Sequence, residues 1–572
     1  MRVLRLYPVL AVLASSGVAG CGDDTTTPTP GVCENFNGVC VKVVDTYELD
    51  GVTGEKVQDL SSWDGASVLV FDGSSYQEYA GKVFDDGHIE FAGVPEGEYL
   101  LRRVGKPNPK IPDAPTPAFF IVSSERVLDL GNYHIGRADA APLEEAADLT
   151  VTGSLPTPWT DIYDENGDPY SDASDTLSLY SRAAGVTGDL YPIGETTDPV
   201  AGDTALAWTF DATTAFENSG YGARVVDGAQ GDDFTVFRVR DEVLFDAAPP
   251  DERWAIARIS RPFDVLSFAE APFTLDPSKP ASVTGTFAPV SADKTATFAL
   301  QWSAFVDAQP KEEGLRLATP DVFELRISAE PGVTEFSVSP DPALAYISVS
   351  SESMPTNPTC YPDDQGLCDP VACPDGCDDS TIDTPPSDYA LTLNYPDFVG
   401  SPHTTISSAS TYRVYSLQNP VDDAPDTLLV GSGVTGALDD ITGSAVTPRL
   451  SPPRSLRIGG QATSATPLEG VGETPVISWD SPASGTARSY FLFLRDMNDL
   501  MANDGSVERK RIVAQFRTTA TQVTLPPGIL QSGHYYTVTI RAADEDVQEG
   551  TPNRRGIATI ATAMTASGVF AP

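Results

Sequence analysis

The chain has 572 residues, enough for about three to five domains that each bury a core of their own. Its 81 acidic and 36 basic side chains give a net charge of −45, a field that repels nucleic acid and anionic lipid head groups, so no nucleic-acid partner is expected. The 47 Gly and 48 Pro punctuate short runs of Val, Thr and aromatic residues, while helical periodicity is not sustained anywhere, which points to an all-β chain with tight turns.

Arg2 and Arg5 open a leader whose apolar run, Leu6 to Ala14, is about half the roughly 20 residues that a membrane span needs. It has the pattern of an export signal, residues 1–20. The four residues Val18, Ala19, Gly20 and Cys21 resemble a bacterial lipobox. That resemblance implies a diacylglycerol on the Cys21 sulfur, cleavage before it and acylation of the new amino terminus. Several chains on one residue hold firmly where one is marginal, so the membrane is an expected partner, and the outer membrane of a Gram-negative bacterium the expected location. The following "GDDTTTPTPG" has nothing apolar to bury and reads as a flexible tether within residues 21–41.

Six cysteines remain: Cys33, Cys40, Cys360, Cys368, Cys373 and Cys377. An even number in an exported chain argues for three disulfides. Proximity suggests Cys33 with Cys40. The later four admit three pairings, which the sequence does not distinguish. A zinc site is disfavoured because no histidine lies near and no CxxC occurs.

Residues 42–136 carry "TGEKV", "DGASVLVFDG" and "DDGHIEFAGVPEGEYLLRRV". In the last of these Ile89 and Phe91 alternate inward, Pro95 and Gly97 turn the chain, and Tyr99 and Leu101 begin the next strand. These stretches resemble the carboxypeptidase regulatory-like, or transthyretin-like, β-sandwich, a family of scaffold or recognition modules without catalytic residues. "RVLDLGNYHIGR" is expected to close its sheet. An acidic, Ala-rich connector near residues 138–148 marks a boundary.

Two β domains are expected next, residues 148–277 and 278–450. "LTVTGSL" and "ASVTGTFAPV" echo one another, as two related β units or as two sheets of one domain. "TALAWTF", "DFTVFRV", "RWAIARI" and "ATFALQWSAF" read as strands. Residues 354–387 hold the four late cysteines in a stapled loop. "LLVGSGVTG" places Gly431, Gly433 and Gly436 at dinucleotide-fingerprint spacing. Gly443 and Pro448 cut the helix that a pyrophosphate would need, so the segment reads as a Gly-rich strand turn.

Residues 452–566 contain "PVISWDSP", "SYFLFLR" and "LQSGHYYTVTIRAAD". Trp479 and Tyr490 sit on early strands, and Leu530, Gly533 and Tyr536 precede the alternating Val538, Ile540 and Ala542. This pattern resembles a fibronectin type III domain, which implies that Tyr536 bonds its hydroxyl to nearby backbone while its ring fills the core. The usual Pro before Gly533 is absent. The fold expected is thus all-β, several β-sandwich domains in series after a lipobox signal peptide and a tether. The order of modules resembles surface lipoproteins of Gram-negative bacteria.

Calcium is the one cofactor that the sequence admits. Asp164, Asn166, Asp168, Asp172 and Asp175 occupy positions 1, 3, 5, 9 and 12 of a calcium loop, although Pro169 replaces the turn glycine and Asn166-Gly167 also makes a hairpin turn. The cysteine loop gathers Asp363, Asp364, Asp369, Asp375, Asp378 and Asp379, which a solvated acidic loop explains as well. The histidines, His88, His134, His403 and His534, are scattered, and neither GxSxG nor HExxH occurs. No catalytic residue is assigned. The function expected is lipid-anchored, non-catalytic display for binding, adhesion or spacing, with a protein or polysaccharide ligand. The alternatives are a carbohydrate-binding lipoprotein, for which Trp63, Trp159 and Trp254 would be the exposed stacking faces and Trp208, Trp302 and Trp479 the core, and a cell-surface hydrolase using paired carboxylates.

Overall fold

The computed structural model describes residues 33–572 apart from short gaps and the stretches 106–110, 141–147, 161–172, 191–200, 212–224, 245–256, 269–273, 276–280, 309–315, 318–321, 332–346, 353–387, 396–402 and 545–559. Among the described residues the regular structure is almost entirely strands, arranged in several sheets, as the alternating short apolar runs require.

In the first module Gly38–Lys42 is the centre of a small sheet, antiparallel to His88–Ala92 and parallel to Val127–Asp129. Ile89 and Phe91 are fully buried beside Val39, Val41 and Leu128. Tyr133–Ile135 runs parallel to Val44–Leu49 in a separate three-stranded sheet, so the segment expected to close one sheet edges two. A second sheet of Tyr76–Ala80, Ser67–Phe71, Tyr99–Val104 and Ala118–Ser123 covers this core.

In the middle region the two echoing stretches lie side by side. Strand Asp148–Ser154 pairs in parallel with Ala281–Pro289, Val151 opposite Val283, Thr152 opposite Thr284 and Gly153 opposite Gly285. Residues on both sides of position 277 therefore share one sheet. Gly153 is dictated by contact: a Cβ there would stand 2.9 Å from the Phe287 ring. The core beneath is built by Leu149, Val151, Leu177, Leu206, Trp208, Val236, Leu266 and Val283.

Two local expectations are corrected. "QWSAF" does not continue a strand but forms the helix Trp302–Ala308. The glycine fingerprint is not a turn: it lies inside the 13-residue strand Pro425–Ala437, with Gly431 opposite Tyr412 and Gly436 opposite Ser407. The helix after it, Leu438–Thr442, has five residues.

In the last module, Arg454–Ile458, Val476–Asp480 and Gln522–Thr524 face Ser489–Asp496, Arg511–Thr518, Tyr536–Ala543 and Ile560–Ala566 across a core of Trp479, Tyr490, Leu492, Phe516, Tyr536 and Ile540. Tyr536 is 1% exposed, and its hydroxyl accepts from the Gln531 backbone N–H at 2.8 Å. Gly533, at φ +83°, makes the turn before it in the left-handed region that suits glycine.

The modules are stitched by strand pairing. Pro425–Ala437 is antiparallel to Ile560–Ala566, and Ala118–Ser123 of the first module is parallel to Arg511–Thr518 of the last. A single sheet of twenty strands thereby passes through the first, middle and last modules.

Candidate functional site

The described chain opens with a disulfide. Cys33 is bonded to Cys40, their Cα atoms 5.7 Å apart, and Cys40 lies buried in the central strand Gly38–Lys42. The staple thus ties Cys33 to the central strand of the first module. Cys21 itself lies outside the described residues, as do Cys360, Cys368, Cys373 and Cys377.

The second sheet of this module has two apolar faces. Val68, Tyr99 and Leu101 point into its own core, and their neighbours Leu69, Leu100, Phe120 and Val122 point the other way, into the core of the last module. Each of those four is at most 7% exposed. The rings of Phe120 and Phe516 stack with centroids 4.6 Å apart, and the Tyr76 hydroxyl donates to the Thr524 carbonyl at 2.9 Å, 448 residues away. Burial pushes the Tyr76 phenol up to about 12. Burying four such side chains contributes roughly 6–12 kcal/mol as an upper estimate, as large as the net stability of a whole domain. The signal for this contact is in the sequence: "SVLVF", "YLLRRV" and "AFFIVS" contain consecutive apolar residues where a sheet with one wet face would alternate.

The middle region contains a buried ionic cluster. Arg238, on strand Thr235–Leu244, is 0% exposed. It donates to Asp264, to Asp175 at 3.2 Å, to the Thr157 carbonyl at 3.0 Å and to the Thr157 hydroxyl. Arg240, two residues on and so on the same face of the strand, holds Asp175 with both arms at 2.7 and 2.9 Å. The Phe263 ring lies against both guanidinium groups, 4.9 and 3.8 Å away. Two cations thus meet two anions with no net charge. Arg238 Nε and Asp264 Oδ1 find no hydrogen-bond partner among the described residues. Burial pushes the Asp264 carboxyl above its ordinary value, outweighing the opposite pull of Arg238. The charged groups point at one another, so the chemistry that the cluster performs is to fix the segment at Thr157 and the strands of Asp175, Arg238 and Asp264 together.

Asp175 is the one member of the sequence-predicted calcium loop within the described residues; Asp164, Asn166, Asp168 and Asp172 lie outside them. Its carboxylate faces two guanidinium groups and also accepts from the Thr160 N–H at 2.9 Å. The aspartates of the cysteine loop also lie outside the described residues. Among the described residues no group of three or more His, Cys, Asp or Glu is arranged to hold a metal ion.

The tryptophan expectation is corrected in part. Trp63 and Trp159 are 3% and 5% exposed, not open faces. Trp63 closes the one-turn helix Leu60–Trp63 and tucks beneath it into the first core. Trp159 meets Trp208 edge-on at 5.0 Å. Trp254 lies outside the described residues, while Trp208 and Trp479 are core as expected. His88 and His534 lie in different modules. His88 is buried beside Asp86 and stacked on Phe84 in the first module. His534 in the last precedes its strand and sets Nδ1 3.0 Å from Asp496, which also accepts from Arg511 at 2.9 Å. Sequence reasoning missed Arg238, Arg240 and Asp264, whose partners come from distant strands, and Asp496, whose partner Arg511 stands opposite it on the neighbouring strand. No helix among the described residues is long and apolar enough to cross a membrane.

No protein-family model matches the chain, and no curated protein matches it.

Proposed function

We propose that the protein is a lipid-anchored component of the bacterial cell envelope that displays β-sandwich modules for non-catalytic binding, adhesion or spacing. The observation that carries this reading is the run Val18-Ala19-Gly20-Cys21 after a short basic and apolar leader and before a Thr/Pro tether. Acyl chains on Cys21 would supply the anchor, and the tether would hold the folded part off the bilayer. The Cys33–Cys40 bond suits an oxidising compartment outside the cytoplasm. The strand-dominated architecture suits presentation from loops and sheet edges, and the transthyretin-like and fibronectin-like patterns agree with modules of that kind. The strong negative charge keeps the displayed surface from anionic head groups.

The test is mass spectrometry of the native protein's amino-terminal peptide together with membrane fractionation of Cys21→Ser. The expected results are an acylated Cys21 at the mature amino terminus and release of the variant into the soluble fraction. An unmodified Cys21, or a variant that stays with the membrane, overturns the proposal.

A further inference from the structure

The first module is incomplete without the last. Strands Ser67–Phe71, Tyr99–Val104 and Ala118–Ser123 send alternate residues into two different cores, and the second of those cores belongs to a module that begins more than 300 residues further on. Without the last module, Leu69, Leu100, Phe120 and Val122 would form a contiguous apolar face. The edge of Ala118–Ser123 that now pairs with Arg511–Thr518 would present unpaired N–H and C=O groups next to Phe119, Phe120 and Ile121. The last module is open in the same way, because Phe516 leans on Phe120 and the Thr524 carbonyl accepts from Tyr76.

We infer that the first and last modules are obligate folding partners: they form one composite unit from the two ends of the described chain, which carries the middle region as an insertion between them. The composite is continuous in both of the ways in which β proteins cohere, through a shared ladder and through a shared core. The connector after the first module and the segment entering the last are then the two stems of one large inserted loop. Strand Pro425–Ala437 adds a lateral contact of that insertion with the composite. None of this depends on whether Cys21 is acylated.

The experiment is native-state hydrogen exchange on the full chain at increasing denaturant. Amides are followed in His88–Ala92, deep in the first module and away from the junction, and in Tyr536–Ala543, at the centre of the last. Obligate partners lose protection in the two strands together, with the same denaturant dependence, as one cooperative unit. A first module that opens at lower denaturant, with Tyr536–Ala543 still protected, overturns the inference. The second measurement uses Phe120→Ala in the full chain. Its expected effect is a rise of about tenfold or more in exchange at Arg511–Thr518 and Tyr536–Ala543 as well as in the first module. A rise confined to the first module overturns the inference as well. Should the variant not fold, the denaturant series on the unaltered chain decides alone.

Discussion

Replacing Arg238 by methionine removes the central cation of the buried cluster and keeps an apolar stem of similar length. Asp175 retains both arms of Arg240, at 2.7 and 2.9 Å, so it stays compensated. Asp264 does not: it is 0% exposed and Arg238 is the cation that donates to it. Breaking a buried pair from one side costs about 3–5 kcal/mol because the remaining charge is neither hydrated nor paired. A domain with a net stability of about 5–15 kcal/mol loses much of its margin. Arg238→Met with Asp264→Leu removes both charges, and apolar replacement of a buried pair is often neutral or stabilising, so the double variant recovers most of the loss. The assay is hydrogen exchange under native conditions in strands Thr235–Leu244 and Ala257–Phe268, read as the local opening free energy. An Arg238→Met effect below about 1 kcal/mol, or a double variant as unstable as the single one, would refute the view of the cluster as a mutually compensated unit.

Three further outcomes follow from the geometry. Cys33→Ala with Cys40→Ala opens a short loop and lowers the opening free energy of the first module by about 2–3 kcal/mol on the chain-entropy account; no change in exchange at Gly38–Lys42 would contradict it. Gly153→Ala drives a methyl group to 2.9 Å from the Phe287 ring and destabilises the middle core by about 1–3 kcal/mol, which melting followed by tryptophan fluorescence measures, and an unchanged transition would count against the contact. Burial raises the phenols of Tyr76 and Tyr536 from 10.0 to about 12. A folded value above the unfolded one means that their contribution to stability is whole below pH 10 and is lost as pH rises through about 12. Ultraviolet titration should show two late-ionising phenols, of which Tyr76→Phe removes one and leaves that of Tyr536, and a titration of the native chain that is complete before about pH 11 would exclude both.

Strands were legible wherever one face is wet and the other dry. Ala281–Pro289 and Lys294–Leu300 alternate in exposure as their residues alternate in polarity, and Tyr536 was legible because its corner is local, its partner Gln531 being five residues away. What the sequence concealed is whatever is settled between distant strands. Arg238 and Arg240 reach Asp175 from 63 and 65 residues along the chain, so a carboxylate with the spacing of a calcium ligand lies against two cations. Trp63 has polar neighbours, which suggest exposure, yet a single turn of helix folds it inward. The runs "SVLVF" and "AFFIVS" did carry a mark of burial on both faces, but nothing in them names the module that supplies the second cover. "LLVGSGVTG" shows the opposite failure: glycines suggest a bend, while the ladder with His403–Gln418 keeps the backbone extended through all of them.

The side-by-side Val-Thr-Gly triplets bear on how the molecule can be dissected. Severed between residues 277 and 278, the chain would give one fragment ending in a β-ribbon that lacks its neighbour and another starting with the missing neighbour, each with a raw margin prone to self-association. Any excised piece from the middle must therefore keep both triplets, which lie opposite one another in the ladder.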